Sequence, residues 1–179
     1  MEKRKEIFSW IKVFGFAIVI ALIARNFIFS PYTVHGESMM PTIQNDNRVL
    51  VSKLSDIDRF DTIVFDAPDS DDRYIKRVIG LPGDTVEMKN DTLYVNGKAY
   101  SEDYLNSVAK QESISQHWTE DFTLEEKTGK KVVPEGYVFV LGDNRPISKD
   151  SRIFGLLSMK SIQGQAVFRF WPFNEIGPL

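Results

Sequence analysis

The stretch Tyr74-Ile75-Lys76-Arg77-Val78-Ile79-Gly80 reads as a β-strand that carries a lysine inside an apolar run. Alternate side chains of a strand point to opposite faces, so Lys76 shares one face with Tyr74 and Val78. We therefore expect Lys76 to enter an apolar interior while Arg77 points away from it. A lysine in such a place is costly, which indicates a chemical role.

Similar short β-rich runs recur from residue 31 onward, separated by turn signals such as Asn96-Gly97 and Leu81-Pro82-Gly83-Asp84. The predicted strands are Arg48–Lys53, Phe60–Phe65, Tyr74–Ile79, Thr85–Met88, Thr92–Val95, Lys98–Tyr100, Tyr137–Leu141 and Gln165–Trp171. Residues 101–131 are polar and poorly periodic, which is typical of an insertion rather than of core. The sequence predicts a mostly β protein, a twisted antiparallel sheet domain in which residues 89–132 form a hairpin and a small insertion.

Residues 7–29 form an apolar segment of membrane length. As a helix this segment would span roughly 35 Å, enough to cross the hydrocarbon core of a bilayer. The Lys3-Arg4-Lys5 cluster places residues 1–6 in the cytoplasm by the positive-inside rule. We therefore expect a single-pass protein of the cell membrane, with one N-terminal transmembrane helix, the lipid bilayer as a partner, and residues 30–179 as an extracytoplasmic catalytic domain.

A cleaved signal peptide is the alternative interpretation of this segment, because the uninterrupted apolar stretch 13–24 is also typical of one. The site that ends at Ile28-Phe29-Ser30 is followed by Pro31, which lacks the N–H that an extended substrate offers. The sequence thus favours retention of the segment as an anchor.

Composition excludes several kinds of site. The 179 residues include no cysteine and two histidines, which excludes disulfides, thiol catalysis and a multi-histidine metal site. We expect neither a cofactor nor a bound metal. The net charge of −3 divides into +3 for residues 1–30 and −6 for the remainder, and so acidic a body argues against nucleic acid as a partner.

Ser38 lies in Gly36-Glu37-Ser38-Met39-Met40-Pro41-Thr42, just after the apolar segment. A serine hydroxyl is a poor nucleophile until a base takes its proton, and lysine serves as that base only when it is neutral. Burial lowers the pKa of a lysine by up to about 3–5 units, which makes Lys76 a candidate base. The ordinary alternative is a loop serine and a strand lysine that reaches solvent.

Other motifs are weaker. His35 stands three residues before Ser38, but its neighbours do not form the G-x-S-x-G pattern of a serine hydrolase. Ser107-Val108-Ala109-Lys110 and Lys127-Thr128-Gly129 match motifs of penicillin-recognising enzymes, yet they lie close together in the polar insertion without an S-D-N motif. We interpret these matches as chance.

Taken together, these segments resemble the bacterial type I signal peptidases, and most of all the small members from Gram-positive bacteria. The resemblance covers nearly the whole chain: the anchor and four ordered motifs at residues 36–42, 48–50, 74–84 and 142–155. It implies a membrane-anchored serine endopeptidase with a Ser/Lys dyad. Such an enzyme removes signal peptides from exported preproteins after small residues at the −3 and −1 positions.

The resemblance also implies roles for individual residues. Ser38 would be the nucleophile and Lys76 the general base. The supporting residues would be Gly36, Ser148, Asp150, Arg152, Asp143 and Arg145. Among them, Ser148 would hydrogen-bond to Lys76, Asp150 would pair with Arg152, and Asp143 and Arg145 would brace the same loop.

For the substrate, the resemblance implies a strand lying between the segment before Ser38 and the strand Tyr74–Lys76. Shallow pockets for small side chains would be lined by Val34, Met39, Tyr74 and Ile75. The enterobacterial members carry a serine where this chain has Gly36, so the Ser38 N–H is the expected oxyanion donor, with a Gly36 main-chain contact or a water molecule as the alternatives for a second one.

Two other functions stay open at this point. A related Ser/Lys self-cleaving regulator would carry a DNA-binding segment where this chain has its apolar one. A catalytically inactive, membrane-anchored paralogue would have no use for both Ser38 and Lys76.

Overall fold

The structure is a computed structural model that describes residues 10–19, 28–105 and 118–179. Residues 10–19 are helical, and no helix within the described residues is both long and apolar enough to cross a membrane. The predicted anchor lies partly outside the described residues. The last residue of the predicted segment, Phe29, is also the first residue of a strand.

The described part of the chain is dominated by short strands in two antiparallel sheets, which confirms the mostly β antiparallel prediction. Their bounds are β1 (Phe29–Thr33), β2 (Arg48–Ser52), β3 (Thr62–Asp66), β4 (Arg73–Gly80), β5 (Val86–Lys89), β6 (Thr92–Val95), β7 (Lys98–Tyr100), β8 (Phe122–Thr123), β9 (Tyr137–Leu141), β10 (Leu157–Ser158), β11 (Ile162–Trp171) and β12 (Gly177–Pro178). The larger sheet has the order β1-β2-β11-β3-β4-β9-β10, with β12 paired to β11. The smaller sheet has the order β7-β6-β5-β8.

One short helix lies within the insertion and another follows β9. Helix α1 (Leu124–Thr128) begins with a capping box between Thr123 and Glu126 and ends at Gly129, whose φ of 69° is left-handed. Helix α2 (Ser151–Phe154) begins at Asp150, whose carboxylate accepts a hydrogen bond from the Arg152 N–H. The N-cap residue of α2, Asp150, is thus one of the supporting residues that the resemblance implies.

Four strands were not predicted, for two reasons. Strand β1 contains Pro31 and lies at the edge of the larger sheet, where a missing N–H is tolerated. Strands β8, β10 and β12 have two residues each and are too short to show a period.

The core consists of three clusters, and strand β4 contributes to all of them. Ile75 packs in the second cluster, Val78 in the third and Ile79 in the first, so both faces of β4 are covered. The expectation that Arg77 points away from the interior is therefore wrong: Arg77 is 7% exposed and Lys76 3%.

The insertion also contributes to the core, contrary to the prediction from its polarity. Phe122 and Leu124 are buried in the cluster between the smaller sheet and strands β4 and β9. Leu105, in a 3-10 turn formed by Asp103–Leu105, is 5% exposed. These isolated apolar residues lie in turns and very short elements, so no periodic pattern reveals them.

Candidate active site

Ser38 and Lys76 meet although they are far apart in sequence. Ser38 lies in the turn that follows β1, and Lys76 lies in the middle of β4, opposite Ile63 of β3. The Lys76 Nζ donates hydrogen bonds to the Ser38 Oγ at 2.8 Å and to its neighbouring carbonyl, Ile75 O, at 2.9 Å. A buried amine in hydrogen-bonding distance of a half-buried hydroxyl is the arrangement that proton transfer requires.

The surroundings of Lys76 favour its neutral form. Burial lowers the pKa of Lys76 to about 8, against an opposing effect of the Asp150 and Asp143 carboxylates. At pH 7 about a tenth of such lysines is neutral, compared with a few in ten thousand for an exposed lysine. The ring of Tyr74 lies 5.4 Å from the Nζ and covers the amine on one side.

The turn around Ser38 leaves the main-chain N–H of Ser38 itself available as a donor. Within the described residues, the Ser38 N–H makes no hydrogen bond. The Gly36 N–H, by contrast, donates to Asn45 Oδ1 at 2.8 Å, with a φ of 90° at Gly36 that favours glycine. The Gly36 N–H, considered from sequence as a second oxyanion donor, is therefore already engaged.

The loop after β9 fastens the nucleophile to the strand that carries Lys76. Asn144 donates from its main-chain N–H to Ser38 O at 3.0 Å and from its side chain to Glu37 O at 3.1 Å. Asp143 accepts hydrogen bonds from Arg77 at 2.9 and 2.7 Å. Sequence reasoning missed Arg77 and Asn144, because these contacts join segments far apart in the chain.

Asp150 and Arg152 form the ion pair expected of them. Two guanidinium nitrogens of Arg152 donate to the two Asp150 oxygens at 2.8 Å each, and Gly142 N–H donates to the same carboxylate at 3.0 Å. Arg152 also donates to Arg145 O at 2.7 Å, and Arg145 Nε donates to Gly142 O at 2.9 Å. These bonds hold the loop in one shape through charged groups that are almost entirely buried.

Ser148 departs from its expected role. Its side chain is 4% exposed, and its Oγ makes no hydrogen bond within the described residues. The expected bond from Ser148 to Lys76 is thus absent, because Lys76 directs its Nζ to Ser38 Oγ and Ile75 O. Ser148 Oγ packs instead against Gly142.

A groove runs along the site between two strand edges. Its lining consists of Tyr32, Thr33, Val34 and His35 on one side and Arg73, Tyr74, Ile75 and Lys76 on the other, with Ser38 and Val64. Strand β1 is the edge of its sheet, and the pairing of β4 with β9 begins only at Arg77. Each side of the groove therefore has strand edge without a strand partner among the described residues, which suits an added extended peptide.

Three of the four residues expected to line pockets, Val34, Tyr74 and Ile75, do line the groove. Met39 does not, since it is 1% exposed and packs in the core beneath, beside Val34 and Ile75. Met39 therefore packs beneath the groove and supports the residues that line it.

Among the described residues, no decoy motif forms a hydrogen bond with Ser38. The imidazole of His35 lies 3.6 Å from the Asp46 carboxylate at the surface. Residues 107–110 lie outside the described residues, and Lys127-Thr128-Gly129 ends helix α1. The described residues contain no cluster of three or more side chains suited to hold a metal ion.

Comparisons with known proteins point to one family. The family profile for "Signal peptidase, peptidase S26" matches residues 7–171. Signal peptidase I of Bacillus caldolyticus is 49% identical over 97% of this chain and 94% of its own length. Signal peptidase IB of Staphylococcus aureus (strain COL) is 46% identical over 96% and 93% of the two chains. A crystal structure of a signal peptidase I from Enterococcus faecalis is 51% identical, with a TM-score of 0.60 over 62% of this chain and 97% of that chain.

Proposed function

This chain belongs to the S26 signal peptidase family and is a serine endopeptidase that acts in signal peptide removal, and we propose that Ser38 is its nucleophile and Lys76 its general base. The observation that carries the proposal is the 2.8 Å hydrogen bond between a buried lysine amine and the Ser38 hydroxyl. Since the pKa of that amine is lowered by burial, the base is available without a histidine.

In the proposed reaction, neutral Lys76 takes the proton of Ser38 Oγ as the oxygen attacks the carbonyl at the end of the signal peptide. Collapse of the tetrahedral intermediate breaks the peptide bond, and protonated Lys76 gives its proton to the leaving amine of the mature protein. The signal peptide remains as an ester on Ser38. Lys76 then takes a proton from water, the resulting hydroxide attacks the ester, and the proton returns to Ser38.

The Ser38 N–H is the proposed donor to the oxyanion. It makes no hydrogen bond within the described residues and belongs to the same residue as the attacking oxygen. Because Gly36 N–H is bonded to Asn45, we assign it the role of shaping the turn. One donor of this kind stabilises a transition state by about 3–4 kcal/mol.

We expect the groove to select small residues one and three positions before the cut. Its lining side chains Val34, Tyr74 and Ile75 are bulky, with Val34 and Ile75 buried and Tyr74 half-buried, which leaves only shallow hollows. Purified full-length protein should cleave a preprotein with alanine at both positions at least about tenfold faster, in kcat/KM, than one with phenylalanine at both. Equal rates for the two preproteins would refute the groove assignment, and no cleavage of either would favour an inactive paralogue.

The rate of cleavage should rise with pH. Only neutral Lys76 accepts the serine proton, so kcat/KM is expected to increase through a pKa of about 8 and to level off above it. The measurement is kcat/KM between pH 6 and pH 10 with a preprotein whose own charge does not change there. A flat profile would contradict the role of Lys76 as the base.

The same pKa affects stability, with a sign that follows from proton binding. The folded chain loses the Lys76 proton near pH 8, while the unfolded chain keeps it to about 10.5. Between these values the unfolded state binds more protons, so this group's contribution to the free energy of unfolding rises with pH.

We propose that residues 7–29 anchor the protein in the cell membrane, with residues 1–6 in the cytoplasm and the β domain outside. The charge distribution and apolar length support this assignment. Exposed aromatic side chains are a proposed second contact with lipid. Trp171 is 40% exposed and Phe173 74%, with their ring centres 4.7 Å apart, and Phe168 is 37% exposed.

This placement predicts membrane binding without the anchor. A chain lacking residues 1–27 should bind vesicles weakly, with a blue shift of its tryptophan fluorescence that Trp171→Ser reduces. Fluorescence unchanged by vesicles would show that any attachment depends on the N-terminal segment alone.

A further inference from the structure

Two segments of the polar insertion, at residues 102–105 and 118–119, contact the loop that follows β9. Glu102 precedes the 3-10 turn Asp103–Leu105 and forms a short ion pair with Arg145. Their side chains are 9% and 0% exposed. In the second segment, Thr119 Oγ1 accepts from Arg145 at 3.4 Å, and Trp118 Nε1 donates to Asp143 O at 3.4 Å. A buried guanidinium needs a counter-charge, and Glu102 supplies it.

Glu102 completes a neutral group of four buried charges. Arg77 is paired with Asp143, and Arg145 is paired with Glu102. The guanidinium of Arg77 lies 4.0 Å from the centre of the Tyr104 ring, whose hydroxyl donates to Glu102 at 2.5 Å. Burial first, and then the Glu102 carboxylate, raise the pKa of Tyr104, so this hydroxyl stays protonated and the two guanidinium and two carboxylate charges balance.

This neutral group adjoins both catalytic residues. Its Asp143 carboxylate stabilises the protonated form of Lys76 and so opposes the lowering of the Lys76 pKa. Asn144, between Asp143 and Arg145, donates hydrogen bonds to the main-chain oxygens of Ser38 and Glu37. A second neutral pair, Asp150 with Arg152, lies beside Lys76 and does not include Glu102. Glu102 therefore influences the site indirectly, through its ion pair with Arg145 and through the loop that Arg145 holds.

We propose that Glu102 is a positioning residue of this peptidase: by balancing Arg145, it fixes the loop that places Ser38 against Lys76. The inference rests on the proposed Ser/Lys mechanism. It assigns to the insertion a part in catalysis, although none of the insertion's described residues lines the groove.

The test is a charge cycle in the full-length enzyme, read as the pH dependence of kcat/KM. Glu102→Gln leaves one excess positive charge, which favours neutral Lys76 and should move the rising limb to lower pH by about half a unit to one unit. Arg145→Gln leaves one excess negative charge and should move the limb to higher pH by a similar amount. The double variant is neutral again, and its limb should return close to the wild-type position.

The steady-state constants give a second readout. Each single variant should lower kcat by about tenfold or more as the loop shifts, with KM unchanged within about twofold because the groove walls do not contain Glu102. Arg145→Lys retains the charge but not the forked donors, so it should lower kcat while leaving the limb in place. Glu120→Gln, an exposed glutamate of the same insertion, is the matched control and should behave as wild type.

The proposal would be overturned if the rising limb of the pH profile moved in the same direction in both single variants. It would also be overturned if the limb moved in neither of them. If Glu102→Gln does not fold, wild-type limb positions in both Arg145→Gln and the double variant would overturn it as well. A failure of the Ser/Lys mechanism is distinct, because it would appear as retained activity when Lys76 itself is replaced.

Discussion

Replacing Ser38 by alanine, or Lys76 by methionine, is expected to lower kcat by about 10⁴-fold or more. The reason is the single hydrogen bond that couples the two groups: without the hydroxyl there is no nucleophile, and without the amine no base reaches it. Because they act as a unit, the double variant should be no slower than the slower of the single variants. The measurement is single-turnover cleavage of a preprotein with an excess of enzyme.

Folding must be monitored in the same variants. Methionine fills the space of the lysine stem and removes a buried amine, so Lys76→Met should retain or raise the melting temperature. Ser70→Ala and Lys130→Ala change exposed residues of the same types and should cleave at the wild-type rate. Wild-type-like turnover in Ser38→Ala or Lys76→Met would contradict the assignment of the dyad.

The second large effect is expected from Gly142→Ala. A Cβ at Gly142 would lie 2.1 Å from Ser148 Oγ and 2.5 Å from the main-chain oxygen of Ser38, so the loop and the nucleophile must move apart. A shift of about 1 Å in such a site costs about 10²-fold in rate. We expect kcat to fall by about that factor, with a loss of about 1–3 kcal/mol in the free energy of unfolding from overpacking.

Two controls separate misplacement of Ser38 from general damage. At Gly177, a Cβ would meet no atom within 4 Å, so Gly177→Ala should retain both rate and stability. Combining Gly142→Ala with Ser148→Gly removes the closest contact, and should restore part of the stability while the contact with Ser38 O still limits the rate. Full activity of Gly142→Ala would show that the loop does not fix the nucleophile.

The sequence by itself determined the β character of the domain and predicted Ser38 and Lys76 as the candidate dyad. Alternation in Tyr74–Ile79 and the hairpin at Asn96-Gly97 depend on neighbours in the chain, so local physics sufficed to predict β4, β6 and β7. Lys76 stood out for a similar reason, since a lysine in an apolar run is unusual wherever the strand packs.

Only the tertiary structure decided how the site is held together. It buried Arg77 against Asp143, gave Arg145 its partner Glu102, and engaged the Gly36 N–H with Asn45. Each contact joins separate segments of the chain, so no periodic pattern in the sequence predicts it. From the sequence alone, a charged residue is predicted to be exposed. Whether it is buried depends on which sheet or loop packs over it, and that is decided only in the folded chain.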